Sequence, residues 1–332
     1  MVATAVALLL VLAIVLGSRM LRNFDAALLP YAVATVFLAF GVAYRYTVWV
    51  SEPPARRLLR QGLRALFSAE NFRRAPTALP RMAATYLGFQ KFLGARSTAR
   101  WAAHQLVFWG CVLAALITFP LTWGWFTFTA ATGSGPGYEM RIWGFGVLGF
   151  NSSDAIGWVV FHGLDLAAVL VIAGAGYFLW RRLRDRAAGT GQRFAYDFLP
   201  LLALIVISVT GLLLTFSAIF LHGGGYAFLA TLHMASVVFT LVYLPFGKFF
   251  HIVQRPAAVG MQLFKYTARQ HEQLCVCRRC GEPVDTAPYV ENLRGTMRDL
   301  RLDFDAWAEY CPRCKRVLRG GAYLAQVKRG FK

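Results

Sequence analysis

Four histidines stand inside strongly apolar stretches of this 332-residue chain: His104, His162, His233 and His251. An ionisable side chain within a membrane-spanning helix is costly, so each marks chemistry by default. His233 and His251 are 18 residues apart. At 3.6 residues per turn that is five whole turns, so one continuous helix would present both imidazoles on one face, ~27 Å apart along its axis. His104 stands at the start of an apolar segment running outward, and His162 lies within the first two turns of one running inward. His104 therefore matches the depth of His251, and His162 that of His233. Two depth-matched pairs on facing helices are what a four-helix bundle needs to hold two haems by bis-imidazole ligation. A single histidine of this kind is as readily explained by a hydrogen bond to a neighbouring helix; the set favours ligation.

A second constellation lies near the C-terminus. Cys275-Val-Cys277-Arg-Arg-Cys280-Gly281 and Cys311-Pro312-Arg313-Cys314-Lys315 place two C-x-x-C pairs with 30 residues between them. Two such knuckles in a reducing compartment specify a tetrahedral four-thiolate site on Cys277, Cys280, Cys311 and Cys314, because each turn aims backbone N–H groups at its sulfurs. Zinc is favoured over a rubredoxin-type iron, since the turns look like those of a zinc ribbon, although the connection is long and carries a predicted helix from about Glu291 to Trp307. Cys275 is then spare. A five-cysteine iron–sulfur cluster would need a spacing that C-x-C-x-x-C does not match. Cys111, alone in an apolar helix, reads as packing.

The elements that must position these residues follow from composition. Hydrophobic residues make up 57% of the chain, charged ones only 15%, and the mean hydropathy is +0.49; this excludes a disordered, collagenous or disulfide-scaffold protein and specifies an integral membrane protein. Six segments are long enough to cross ~30 Å of hydrocarbon: roughly 2–17, 28–49, 101–123, 155–180, 198–221 and 227–250. The fold class expected is all-α, with six transmembrane helices, a haem-binding four-helix bundle, and a small zinc-ribbon-like cytoplasmic domain. Its parts are two N-terminal helices (1–50), a basic cytoplasmic loop with an amphipathic segment (51–100), the bundle (101–254) and a four-cysteine metal-binding tail (255–332). The first segment could be a signal peptide, but it lacks a basic n-region, and it is retained as a helix.

Charge sets the orientation. Lys and Arg total 35 against 16 Asp and Glu, an excess that raises nucleic-acid binding until its placement is seen. The 51–100 connection holds ten basic residues (Arg56, Arg57, Arg60, Arg64, Arg73, Arg74, Arg81, Lys91, Arg96 and Arg100) against Glu52 and Glu70. Arg181, Arg182, Arg184, Arg186 and Arg193 mark the connection of the fourth and fifth segments, whereas 124–154 has one basic residue and 222–225 has none. Basic loops alternating with neutral ones put both termini in the cytoplasm by the positive-inside rule, and no nucleic acid is required. From Ala55 to Phe67 the arginines alternate with Leu58, Leu59, Leu63, Leu66 and Phe67, which suits either an amphipathic helix on an anionic leaflet or a solvated loop. Pro53, Pro54, Pro76 and Pro80 break up the region. Arg45, near the inner end of the second segment, reads as snorkelling.

Three stretches resemble the membrane anchors of nitrate reductase gamma subunits and of the related heterodisulfide-reductase and dissimilatory sulfite-reductase complexes. They are Arg100-Trp101-x-x-His104-x-Leu106-x-Phe108-Trp109-Gly110, Asp197-x-x-Pro200 leading to Thr210-Gly211, and His233 followed by Pro245-Phe246-Gly247-Lys248-x-x-His251 and Arg255-Pro256. The last is the most specific, and the similarity covers about 100–258. It implies a haem b, quinone-reactive protein in which His104 and His251 share the cytoplasmic-side haem and His233 ligates the outer one. The family's second histidine, three turns beyond the first, is here Ala114. The fourth ligand is therefore His162, with His222 as the fallback, or the protein holds a single haem.

On that reading Asp165, on the same helix face as His162, accepts a quinol proton or hydrogen-bonds an imidazole. His222, Tyr226 and Asp154 are proton-relay candidates near the outer surface. Lys248 either pairs with a haem propionate or snorkels. The implied function is that of a respiratory electron-transfer subunit in a bacterial or archaeal cytoplasmic membrane. It would carry electrons between quinone or menaquinone and an iron–sulfur subunit, with the catalytic subunit elsewhere. Two rivals stay open: a transporter or channel with a metal-stabilised tail, in which His162 and Asp165 line a proton or ion path, and a structural anchor that recruits soluble proteins.

Overall fold

The computed structural model describes residues 1–68, 77, 79–95, 97–131, 137–184, 191–271 and 273–330. Glu70, Arg73, Arg74, Pro76, Arg96 and Arg186 lie outside the described residues. The chain divides into two compact units, Met1–Thr47 with Gln90–Val253, and Val48–Phe89 with Gln254–Lys332.

The first unit is built on apolar helices: α1 (Val2–Gly17), α2 (Leu29–Ser51), α4 (Thr98–Thr122), α5 (Ala155–Arg184), α6 (Leu199–Phe220) and α7 (Tyr226–Tyr243), while the intervening α3 (Pro53–Leu66) belongs to the second unit. Five helical stretches, Ala26–Ser51, Thr98–Thr122, Ala155–Arg184, Phe194–Phe220 and Tyr226–Tyr243, are long and apolar enough to cross a membrane, and the chain is membrane-embedded. α1 is as apolar as these but shorter, its 16 residues spanning ~24 Å at 1.5 Å per residue. Local signals set the ends. The Ser97 hydroxyl accepts the Arg100 N–H at the start of α4, Pro200 opens α6 where no N–H is needed, and Arg181, Arg182 and Arg184 complement the carboxyl end of α5.

Consecutive helices α4, α5, α6 and α7 pack on one another. The α4–α5 seam is close because it is made of small residues. A Cβ on Gly174 would stand 2.5 Å from the Ala103 carbonyl, and one on Gly110 would stand 2.7 Å from Val171. At the other end of α5, Gly163 meets Ile117. The turn of His104 therefore lies at the level of Gly174 and that of His162 at the level of Ile117, with the 11 residues between the two glycines spanning ~16 Å.

Two features depart from the all-helical expectation. The 124–154 connection folds into an antiparallel sheet, β1 (Phe126–Ala130), β2 (Gly137–Ile142) and β3 (Phe145–Asn151), in order β1-β2-β3 with a bulge between Met140 and Arg141. Its period-2 alternation sorts the residues: Phe128, Tyr138 and Phe150 cluster on Phe161 of α5, while Glu139 and Arg141 form an ion pair. The second departure concerns the expected 227–250 helix, which stops at Tyr243. Pro245 removes a helical N–H, Gly247 adopts an extended conformation, and a 3-10 turn Lys248–Phe250 leads into α8 (His251–Gln270).

Aromatic side chains tie α1 and α2 to this unit. The Trp125 indole N–H donates to the Ala13 carbonyl at 3.1 Å, and its ring fills the space beside Gly17. Trp123 donates to Thr35 Oγ1 at 3.1 Å. Between α1 and α2, Arg19, Met20 and Leu21 all take the left-handed conformation. Arg19 donates to the Trp143 carbonyl and lies over the Phe145 ring.

The second unit contains α3, the hairpin β4 (Leu274–Val276) and β5 (Pro283–Thr286), α9 (Ala287–Asp299) and α10 (Pro312–Gly330). The amphipathic segment is indeed a helix, but it turns Ala55, Gly62 and Ala65 inward. Gly62 and Gly260 touch backbone to backbone, Gln61 and Asn292 exchange amide hydrogen bonds, and Arg57 pairs with Asp299. The helix expected from Glu291 to Trp307 runs instead over α9 and resumes as a 3-10 turn, Asp305–Glu309.

Candidate functional site

In the first unit, polar side chains and a backbone carbonyl hold His162, His233 and His251. His162 Nδ1 lies 2.9 Å from Asp165 Oδ2, one turn further along α5, and the other Asp165 oxygen accepts the Thr215 hydroxyl of α6 at 2.8 Å. Both carboxylate oxygens are engaged, one by the imidazole and one by Thr215. The Trp158 ring packs on His162 at 5.1 Å. On α7, His233 Nδ1 lies 2.9 Å from Thr210 Oγ1. The Thr210 hydroxyl donates to the Val206 carbonyl at 2.8 Å, which leaves its oxygen to accept. Gly211 faces the same imidazole, where a Cβ would sit 3.4 Å from Cε1. Thr210 and Gly211 are thus one device: a hydroxyl that holds the ring and a gap that admits it.

His251 is exposed at the start of α8, and its Nδ1 lies 2.7 Å from the Lys248 carbonyl. This corrects the five-turn argument: the break after Tyr243 means that His233 and His251 do not share one straight helix. The break is itself built. Arg45 of α2 donates to the carbonyls of Pro245 and Gly247 and stacks over Phe250 at 4.5 Å, so it is a structural donor to carbonyls the helix no longer uses, not a snorkelling side chain. Tyr243 donates to the Ala195 carbonyl. Lys248 pairs with Asp197 at 2.8 Å, and Arg182 reaches the same oxygen at 3.0 Å, so the partner of Lys248 is this carboxylate.

His104 is half-buried on α4. His222 is exposed in the turn after α6 with φ +48°, and Tyr226 is exposed at the start of α7. Asp154 accepts the Asn151 backbone N–H at 3.3 Å. Thr215 is a site side chain that the sequence reading did not name, and Arg45 is one it named only as snorkelling. Thr215 is one of four hydroxyl residues of α6, with Ser208, Thr210 and Ser217, so nothing in the sequence sets it apart; the partners of Arg45 lie 200 residues or more away in sequence.

In the second unit the four thiols come together. The sulfurs of Cys277, Cys280, Cys311 and Cys314 lie within 4.8 Å of one another, and among the described residues this is the only group of three or more His, Cys, Asp or Glu side chains that could hold one metal ion. Cys280 and Cys311 are 3.7 Å apart, close to the ~3.8 Å edge of a tetrahedron with Zn–S bonds of about 2.3 Å. Backbone N–H groups support the sulfurs: Cys311 donates to Cys277 at 3.3 Å and Cys314 to Cys311 at 3.4 Å. The Cys311 N–H holds the Cys277 thiol down at about 6, whereas burial pushes Cys314 up to about 12. The first knuckle follows β4 and the second opens α10, so only one of the two has the hairpin setting expected of a zinc ribbon. Cys275 stays outside the cluster. The carboxylate of Glu309, beside the second knuckle, is neutralised by Arg278 and Arg294.

No family model, curated protein or solved structure matches this chain.

Proposed function

We propose that the chain is the quinone-reactive cytochrome b anchor of a respiratory oxidoreductase, as its resemblance to nitrate reductase gamma-type subunits implies. Six spans would place both termini in the cytoplasm of a bacterial or archaeal cell. The observation that carries the reading is a shared arrangement at three imidazoles. His162, His233 and His251 each set Nδ1 against an oxygen: a carboxylate, a hydroxyl already donating elsewhere, and a carbonyl. The carboxylate and the carbonyl accept from Nδ1–H and so favour a lone pair on Nε2 at His162 and His251, and a Thr210 hydroxyl that donates to a backbone carbonyl would favour the same at His233, the state an iron-ligating imidazole requires. His104 and His251 would hold the inner haem, and His162 and His233 the outer one.

Haem b supplies one-electron carriage across the membrane when bound. The chain's own residues orient the ligands through Asp165, Thr210 and the Lys248 carbonyl. An iron–sulfur partner subunit docks on the cytoplasmic side, where the zinc-loaded thiol cluster would brace the domain without carrying electrons.

The test is a reduced-minus-oxidised absorption spectrum of the purified protein, with a pyridine haemochrome assay for haem per chain. Two haems b are expected, and His104→Ala, His162→Ala, His233→Ala and His251→Ala should each abolish the signal of one. A colourless preparation would sink the proposal and return attention to the His162–Asp165–Thr215 chain as a proton path in a transporter.

A further inference from the structure

Helix α10 has no counterpart in the functional reading above, and from Arg316 onward most of it faces solvent. It carries Arg313, Lys315, Arg316, Arg319 and Lys328 and no acidic residue. Apolar side chains stand exposed among these cations: Val317 is 51%, Tyr323 66% and Leu324 59% accessible. Val317 and Leu324, seven residues apart, share one helix face. Between them, Gly320 and Gly321 have nothing within 4 Å of where a Cβ would be. At the start of the helix, Lys315 and Arg319 converge with Phe304 and Trp307 on one open pocket. The thiol cluster fixes this arrangement, because Cys311 and Cys314 anchor the first turn of α10.

We infer that α10, with Phe304 and Trp307, is a surface for anionic phospholipid. A helix that mixes uncompensated cations with exposed apolar and aromatic side chains has the composition of one lying in a lipid interface, where the cations meet headgroup phosphates and the apolar groups enter the acyl boundary. An acidic protein would satisfy the cations but leaves Val317, Leu324 and Phe304 without a role. The lipid is also at hand, since the chain passes three times between this unit and the membrane-embedded one. Asp303 and Asp305 flank Phe304 in sequence, against the five cations Arg313, Lys315, Arg316, Arg319 and Lys328 along α10. The inference rests on membrane embedding alone and is independent of haem.

The experiment uses the full chain in nanodiscs of phosphatidylcholine, with or without phosphatidylglycerol, read by amide hydrogen exchange. Exchange across 312–330 and 304–307 should slow roughly tenfold when phosphatidylglycerol is present, and the effect should vanish in high salt. It should also vanish in the triple variant Lys315→Gln, Arg316→Gln, Arg319→Gln, with one metal per chain retained as the sign of folding. If that variant loses its metal, Leu324→Glu, far from the thiols, serves in its place. Equal exchange in the two lipids overturns the inference. So does protection by inorganic phosphate in phosphatidylcholine alone, or protection that appears only when a soluble acidic protein is added.

Discussion

Asp165, Thr210 and the Lys248 carbonyl perform one task from three kinds of oxygen, each holding the same nitrogen of an imidazole. Removing such a support while leaving the ligand in place typically weakens metal affinity by about 10–100-fold. If the proposed haem ligation holds, Asp165→Ala should deplete the outer haem during purification and leave the inner one, seen as a halved pyridine haemochrome yield. The thiol site makes a separate prediction. Cys314, pushed up to about 12, is protonated at neutral pH and must lose its proton to bind metal. Binding should tighten with rising pH, by roughly tenfold per pH unit for each proton displaced; competition against a chelating dye in mildly acidic and mildly alkaline buffer measures this. Replacing Cys277 or Cys311 with Ser should abolish stoichiometric binding of added zinc. The thiol site was legible in full because each knuckle is local, four residues forming their own turn. The histidines were legible as types, but their partners depend on how α5, α6 and α7 are rotated about their axes, which no spacing along one helix specifies.

The helices were readable to within a few residues because twenty apolar residues in a row leave the backbone little choice. Two misreadings have physical causes. In β1 to β3 the alternation of Phe126-Thr127-Phe128-Thr129 is a strand signal of period 2, yet the segment is short and sits between two spans, so by charge it reads only as a connection with one basic residue. After Tyr243 the run Leu-Pro-Phe-Gly stays apolar, and hydropathy passes over a break that backbone chemistry enforces. Arg45 stabilises that break from a distant helix, so Arg45→Ala leaves the carbonyls of Pro245 and Gly247 without their donor and should cost about 1–3 kcal/mol, measured as a lowered thermal midpoint in detergent. The seam between α4 and α5 is equally exposed to test. Gly174→Leu drives a side chain into Ala103 and Val107, and overpacking of this kind costs about 1–3 kcal/mol, whereas the same change at Gly176, which has open space, should leave the midpoint unchanged.

At the scale of the whole molecule, each unit has its own source of stability: apolar helices in one, and in the other a modest core whose buried centre is Cys277, Cys311 and Cys314. Chelation should loosen the second without the first, so hydrogen exchange after metal removal should rise across 274–330 and stay unchanged across 98–122 and 155–184. Composition had shown that such a division must exist, since apolar runs stop near residue 250, but it could not show that residues 48–89 fold with the tail, because the contacts of Arg57 and Gln61 span more than 230 positions. The indole of Trp125 closes about half that distance in the first unit, 112 residues from the carbonyl of Ala13. At about 5–20 residues per second of synthesis, α1 waits roughly 6–22 s in or beside the bilayer before the residue that secures it has been made. The α1 helix thus waits for α4 to be complete before its Ala13 carbonyl is engaged, and during that interval its short apolar rod is open to signal-cleaving proteases and insertion factors.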